Sequence, residues 1–192
     1  GYQHRGVETL MRNAALHARI PLAESIAGDT VAGHAYAHCK AVEHLSNAHV
    51  PFRAQVIRSV AEELERVAMH LSGLIGVSND IGLAIAASSY GRLRTLVINS
   101  LAALCGSRFG RGLFVYGGVR FDFSGGAIEK VVENLSTVRN DVAEINDFLF
   151  SSSGVLIRFE HTGTVSKECA GAIGMVGFAA RASGIESDTR TN

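Results

Sequence analysis

The residues from Ala23 to His34 hold the richest chemical pattern in the chain: Glu24, Ser25, a turn-forming Gly28-Asp29, Thr30 and then His34. Cysteines at positions 27 and 30 would make a Cys-x-x-Cys loop with a nearby histidine, a set that suits a soft metal ion. Ala27 has no donor atom and Thr30 offers only a neutral hydroxyl. The loop has the outline of a thiolate site without the thiolates.

Three further clusters could carry chemistry. His34 and His38 stand at i and i+4, followed by Cys39 and Glu43. Two imidazoles so spaced can hold a metal, but no third ligand is assured, and surface or interface histidines fit as well. Glu62, Glu63, Glu65 and His70 invite comparison with a di-iron bundle. That site needs Glu-x-x-His on two helices, and Glu65 and His70 are five apart with no second copy, so a solvated face is expected. His4, Arg5 and Glu8 fall within one turn. Arg5 could hold an acidic group or a loop. Glu8 could be a buried proton carrier, but composition favours an acidic residue at a helix start.

These residues need a scaffold, and the pattern is helical. Val56, Val60, Leu64, Val67, Leu71 and Leu74 recur at three and four between Pro51 and Asn79, with Arg58, Glu62, Glu63, Glu65 and Arg66 assigned to the other face. Helices are also predicted over Val31 to Leu45, Ser88 to Leu104 with Gly106 as stop, and Ala127 to Leu149. Phe114 to Phe123 reads as a short extended segment around Gly117-Gly118. Val155 to Phe159 is expected as a strand and Lys167 to Gly174 as a short helix. Pro21 and Pro51 are placed where helices begin or break. The fold class expected is mainly α, an antiparallel bundle of long helices with a few short β segments.

At 192 residues and 47% hydrophobic content, a single domain over 1–192 is expected. Lysine plus arginine equals aspartate plus glutamate at 18, which argues against a nucleic-acid surface. No apolar run approaches the roughly 20 residues of a membrane span, and no Gly-x-Gly-x-x-Gly follows a strand. Cys39, Cys105 and Cys169 form no close pair, which fits a reducing compartment. The start at Gly1 and the loop-like run from Glu186 to Asn192 suggest a fragment.

Eight tags occur in one order: His4-Arg5-Gly6-Val7-Glu8, Pro21-Leu22-Ala23-Glu24, Ala41-Val42-Glu43, Val50-Pro51-Phe52-Arg53-Ala54, Glu63-Leu64-Glu65-Arg66, Asn79-Asp80-Ile81-Gly82, Gly117-Gly118-Val119 and Arg181-Ala182-Ser183-Gly184-Ile185. Together they resemble the large subunit of membrane-bound nickel–iron hydrogenases and the related 49-kDa subunit of respiratory complex I. The resemblance covers almost the whole chain. It implies a hydrogenase-large-subunit-like helical domain, without the family's N-terminal hairpins and C-terminal segment.

In the hydrogenase members the loop reads Arg-Ile-Cys-Gly-x-Cys. Here Ser25 replaces the arginine and Ala27 and Thr30 replace the cysteines, while Ile26, Gly28 and His34 match. The resemblance therefore implies no nickel in this chain. Glu8 matches a proton-gate glutamate, Asp80 an aspartate near the quinone cavity, and Gly28 the position of the quinone-ligand tyrosine. It implies Glu8, Asp80 and His34 as candidate proton or quinone-cavity residues, with His4, Arg5, Gly28 and Thr30 as the cavity loop. The expected role is a subunit of a hydrogenase-like or complex I-like oxidoreductase, peripheral on the cytoplasmic side of the cell membrane. An iron–sulfur small subunit and membrane-arm subunits are the implied partners. No cofactor is implied in the chain itself, with quinone the candidate ligand and the cluster in a partner; a non-catalytic scaffold subunit is the alternative.

Overall fold

The computed structural model describes residues 2–188; Gly1 and the end of the tail from Thr189 to Asn192 lie outside the described residues. The described chain forms two compact units, one ending at Leu149 and one beginning at Phe150.

The first unit carries α1 (Val7–Asn13), α2 (Leu16–Glu24), α3 (Val31–Leu45), α4 (Phe52–Asp80), α5 (Ala84–Cys105), β1 (Phe114–Val115), β2 (Gly118–Val119) and α6 (Ala127–Ser151), which runs on just past Leu149. The four long predicted helices are present, and α3 has the bounds read from its sequence. Pro51 occupies the N-cap of α4, where a missing N–H costs nothing. Gly106 closes α5 in the left-handed region at φ 74°, a conformation that side chains with a Cβ resist. Pro21 is different from the expectation: it lies inside α2, which gives up the bond its N–H would have made to His17.

The core lies between α3, α4 and α5, with Val31, Ala35, Ile57, Ala61, Leu64, Tyr90, Leu93 and Val97 buried. The buried face of α4 differs from the predicted one. It runs through Ala54, Ile57, Arg58, Ala61, Leu64, Glu65, Ala68 and Leu71, while Val56 is exposed. Arg58 and Glu65, assigned to a solvated face, belong to the interior. The helix α6 is tied to α5 by polar side chains: Tyr90 donates to Asn146 (2.6 Å) and Asn134 to Ser100 (3.2 Å), and Arg92 pairs with Asp141.

β1 and β2 form an antiparallel hairpin, with Phe114 opposite Val119 and Val115 opposite Gly118. Gly117 supplies the positive φ of its turn (78°). Two buried side chains clamp this hairpin onto the bundle. Arg58 donates to both oxygens of Glu43 (2.8 and 2.6 Å) and to the carbonyls of Val115 (2.7 Å) and Gly118 (2.8 Å). Glu43 also accepts from the N–H of Gly117 (2.7 Å).

Among its described residues the second unit holds three short helices, α7 (Ser153–Phe159), α8 (Lys167–Ala172) and α9 (Gly177–Ala182). The predicted strand from Val155 to Phe159 is thus helical. A short apolar run fits a buried strand and a helix equally by periodicity, and here the Ser152 carbonyl accepts from Val155 and Leu156 (both 3.0 Å), starting a helical turn. The helix predicted from Lys167 is present, with Ser166 accepting the Cys169 N–H at its N-cap (3.2 Å).

Candidate functional site

The segment between α2 and α3 is held from three sides. Arg5 donates to the carbonyl of Ile26 (2.6 Å), so the N-terminal His-Arg-Gly tag latches the loop. Glu24, buried at the end of α2, accepts the Gly112 N–H (2.7 Å). The third hold is Glu65 of α4. Its two oxygens accept the N–H groups of Ala32 (2.6 Å) and Gly33 (2.9 Å).

Those two N–H groups belong to the first turn of α3, which has no partners within its own helix. Thr30 stands at the N-cap but makes no side-chain cap bond. Its hydroxyl faces His34 Nδ1 (3.2 Å) instead. Glu65 therefore supplies from another helix the oxygen that a capping residue normally supplies locally. Gly33 leaves room for it: a Cβ there would stand 3.2 Å from the Glu65 oxygen.

His34 Nδ1 also contacts the Thr30 carbonyl (2.7 Å). A carbonyl only accepts, so Nδ1 carries a proton and Nε2 is the basic nitrogen of the neutral ring. An open cleft of about 420 Å³ is lined by Thr30, Gly33, His34, Glu62, Glu65 and Met69, among others.

Charge in this cleft is unevenly matched. Arg66 spends its guanidinium on Glu62 (3.2 Å) and Glu63 (3.1 Å). Glu65 has no such partner, and its carboxyl is pushed above the ordinary 4.5 by burial, against the pull of the Gly33 and Ala32 N–H groups. A larger cleft of about 530 Å³ lies at the other end of α3, lined by Tyr36, Lys40, Glu43, His44, His49 and Arg58 among others. Its Glu43 is held below the ordinary value chiefly by the Arg58 hydrogen bonds, and that pair is already committed to the hairpin.

The predicted site residues divide. Arg5, Thr30 and His34 converge on the loop that contains Gly28. Glu8 and His4 contact each other (3.7 Å), with Glu8 83% exposed in the first turn of α1, so Glu8 is no buried proton carrier. Asp80 is exposed at the far end of α4. His34 and His38 do not face a common ligand: His38 Nε2 donates to the Tyr116 hydroxyl (2.8 Å), which donates to the Leu16 carbonyl (3.1 Å). Glu65, which the sequence pattern assigns to a solvated face, is the residue that the structure adds to the site.

A family profile described as respiratory-chain NADH dehydrogenase, 49 Kd subunit, matches residues 80–192. The chain belongs to the 49-kDa subunit family. Among relatives of this family member, an NADH-quinone oxidoreductase subunit of Campylobacter curvus (strain 525.92) is 32% identical over 190 residues, 99% of this chain and 46% of that protein. The membrane-bound hydrogenase alpha subunit of Pyrococcus furiosus is 31% identical over 190 residues, 99% of this chain and 44% of that protein. The chain thus spans about half the length of the curated relatives it matches.

A chain in the structure of the membrane-bound sulfane sulfur reductase, an archaeal respiratory membrane complex, superposes with a TM-score of 0.94 at 26% identity. The match covers 100% of this chain and 52% of that one. The 49-kDa-like and hydrogenase-like resemblance read from the eight tags is borne out, as is the mainly helical fold. No described helix is long and apolar enough to cross a membrane.

The hydrogenase-like loop pattern at residues 24–34 raises the question of nickel. The donor set does not fit it: Ala27 presents a methyl group and Thr30 a neutral hydroxyl where thiolates would stand, and His34 Nε2 alone makes no soft-metal site. A soft divalent metal needs thiolates that these positions lack.

Proposed function

We propose that this 49-kDa family member serves as a subunit of a membrane-associated oxidoreductase complex, and that its 24–34 loop works by carboxyl protonation instead of thiolate–metal chemistry. The observation that supports this reading is the Glu65 carboxylate on the first turn of α3, next to the loop positions 27 and 30 where thiolates would stand. A buried carboxyl with a raised proton affinity can take up a proton that accompanies electron transfer. On protonation, its charge-assisted bonds to Ala32 and Gly33 weaken. Proton uptake there removes a buried charge that faces no cation, which couples protonation to the contact between α4 and the loop end of α3.

Within this reading, His34 and Thr30 line the acceptor cleft, and Arg5 sets the position of the loop around Gly28. Glu8 and His4, on the solvent side, pass protons between water and the bundle. A quinone-like acceptor is the ligand class proposed, with the iron–sulfur cluster in a small partner subunit. Membrane-arm subunits hold the assembly on the cytoplasmic face. The exposure of Glu8 and Asp80 favours a second reading, a scaffold subunit without a ligand.

Two measurements on the intact complex separate these readings. Metal analysis is expected to find nickel far below one per complex; stoichiometric nickel overturns the thiolate-free account. Glu65→Gln is expected to slow electron transfer and its coupled proton uptake. Wild-type rates in that variant would leave the scaffold reading standing.

A further inference from the structure

The loop from α5 into the hairpin, residues 106–113, gathers four guanidinium groups. Arg108 and Arg111 lie in it and are exposed. Arg94 of α5 lies over the Phe109 ring, 5.9 Å from its centroid, and its Nε is buried without a partner. Arg120, just past β2, reaches back so that its Nη1 would stand 3.7 Å from a Cβ at Gly112.

The ion pairs among the described residues include none of these four. Arg53, Arg58, Arg66 and Arg92 each have a carboxylate. Among the described residues one acidic side chain hydrogen-bonds to the loop, the buried Glu24 on the Gly112 N–H. Asp29, in the neighbouring segment, is exposed and pairs with none of the four. In a chain of zero formal net charge, this is a local excess of positive charge.

The loop is also stiff. Ser107 Oγ accepts the N–H groups of Phe109 (3.4 Å) and Arg111 (3.1 Å). Gly110 is buried, and a Cβ there would meet Ala32 at 3.8 Å and Leu101 at 4.0 Å. A charged surface fixed before binding loses less entropy on association. Guanidinium forks match carboxylates in paired hydrogen bonds.

We propose that the 106–113 loop, with Arg94 and Arg120, docks a carboxylate-rich surface of a partner protein. The inference rests on the reading of the chain as a complex subunit. A protein fits better than an anionic membrane. Lipid-binding segments are lysine- and arginine-rich stretches beside a membrane span or on an amphipathic helix, whereas this patch is all arginine and is divided among a fixed loop, the end of the hairpin and α5.

The test uses the full-length protein in its complex, released from membranes by mild detergent. A photo-crosslinking benzoylphenylalanine at Arg108 is expected to join a partner peptide rich in Asp and Glu. Arg108→Glu with Arg111→Glu is expected to weaken retention of that partner about tenfold or more. The melting curve should stay unchanged, since both side chains are exposed and unpaired. Arg108→Lys with Arg111→Lys, which keeps the charge but removes the forks, should weaken retention less than the charge reversal does. Crosslinks to phospholipid or nucleic acid, crosslinks to a peptide without acidic residues, or full retention in the charge-reversed variant overturn the inference and leave the subunit reading intact. A wild-type chain that purifies without any partner overturns both.

Discussion

Glu43 and Glu65 are both buried to the same degree, at 6% exposure, and both receive hydrogen bonds from backbone N–H groups, yet they are opposite devices. Glu43 has the Arg58 guanidinium, and its charge is locked in place under the hairpin. Glu65 has only the Gly33 and Ala32 N–H groups and the partial positive charge of a helix start. Burial therefore lifts its proton affinity, where the Arg58 bonds lower that of Glu43. One end of α3 is fastened by an ion pair, and the other by a buried carboxylate that faces no cation. The two ends of one helix thus hold the same kind of side chain in opposite electrostatic settings.

Removing the guanidinium should have the largest effect. Arg58→Ala leaves Glu43 buried without its cation and is expected to cost about 3–5 kcal/mol in a urea denaturation series. A loss under about 1 kcal/mol would show that the hairpin does not depend on the clamp. Glu65→Ala comes next. It leaves two first-turn N–H groups without a partner, at about 1–3 kcal/mol. Equal losses at the two sites would erase the distinction between them.

The pH dependence sharpens the contrast. A lowered folded-state value means that the Glu43 contribution is present above the ordinary 4.5 and is lost as pH falls through the lowered value. A raised value means that the Glu65 contribution is complete below 4.5 and is lost as pH rises through the raised value. Glu65→Gln should flatten the stability profile above 4.5 and leave the acid limb unchanged. Glu43→Gln should act on the acid limb. Gly33→Ala is the smallest change. Its helix-propensity gain of about 1 kcal/mol opposes a crowded cap of similar worth, so the midpoint should move little.

Much of this was legible in the sequence because local signals agreed. Pro51, Gly106 and the apolar periodicity set the long helices, and Gly117 set the hairpin turn. The interior of α4 was misread because only large apolar residues were counted as its buried stripe. Ala54, Ala61 and Ala68 recur every seven residues, with Arg58 and Glu65 four after the first two. Reading the alanines as core places both charged residues inside. The partners of Glu65 are backbone groups more than 30 positions earlier, and a backbone N–H has no sequence signature. The tag at Asp80 carried family resemblance but no sign of exposure, whereas composition at Glu8 already favoured the helix start where it stands.

The most direct test is an infrared titration of the protonated carboxyl C=O band, comparing the wild-type protein with Glu65→Gln. The account predicts a band that is absent in the variant and in the wild type titrates above the ordinary 4.5. A Glu65 band that titrates at or below 4.5 would contradict it, because a carboxylate that stays charged throughout would be a second fixed clamp.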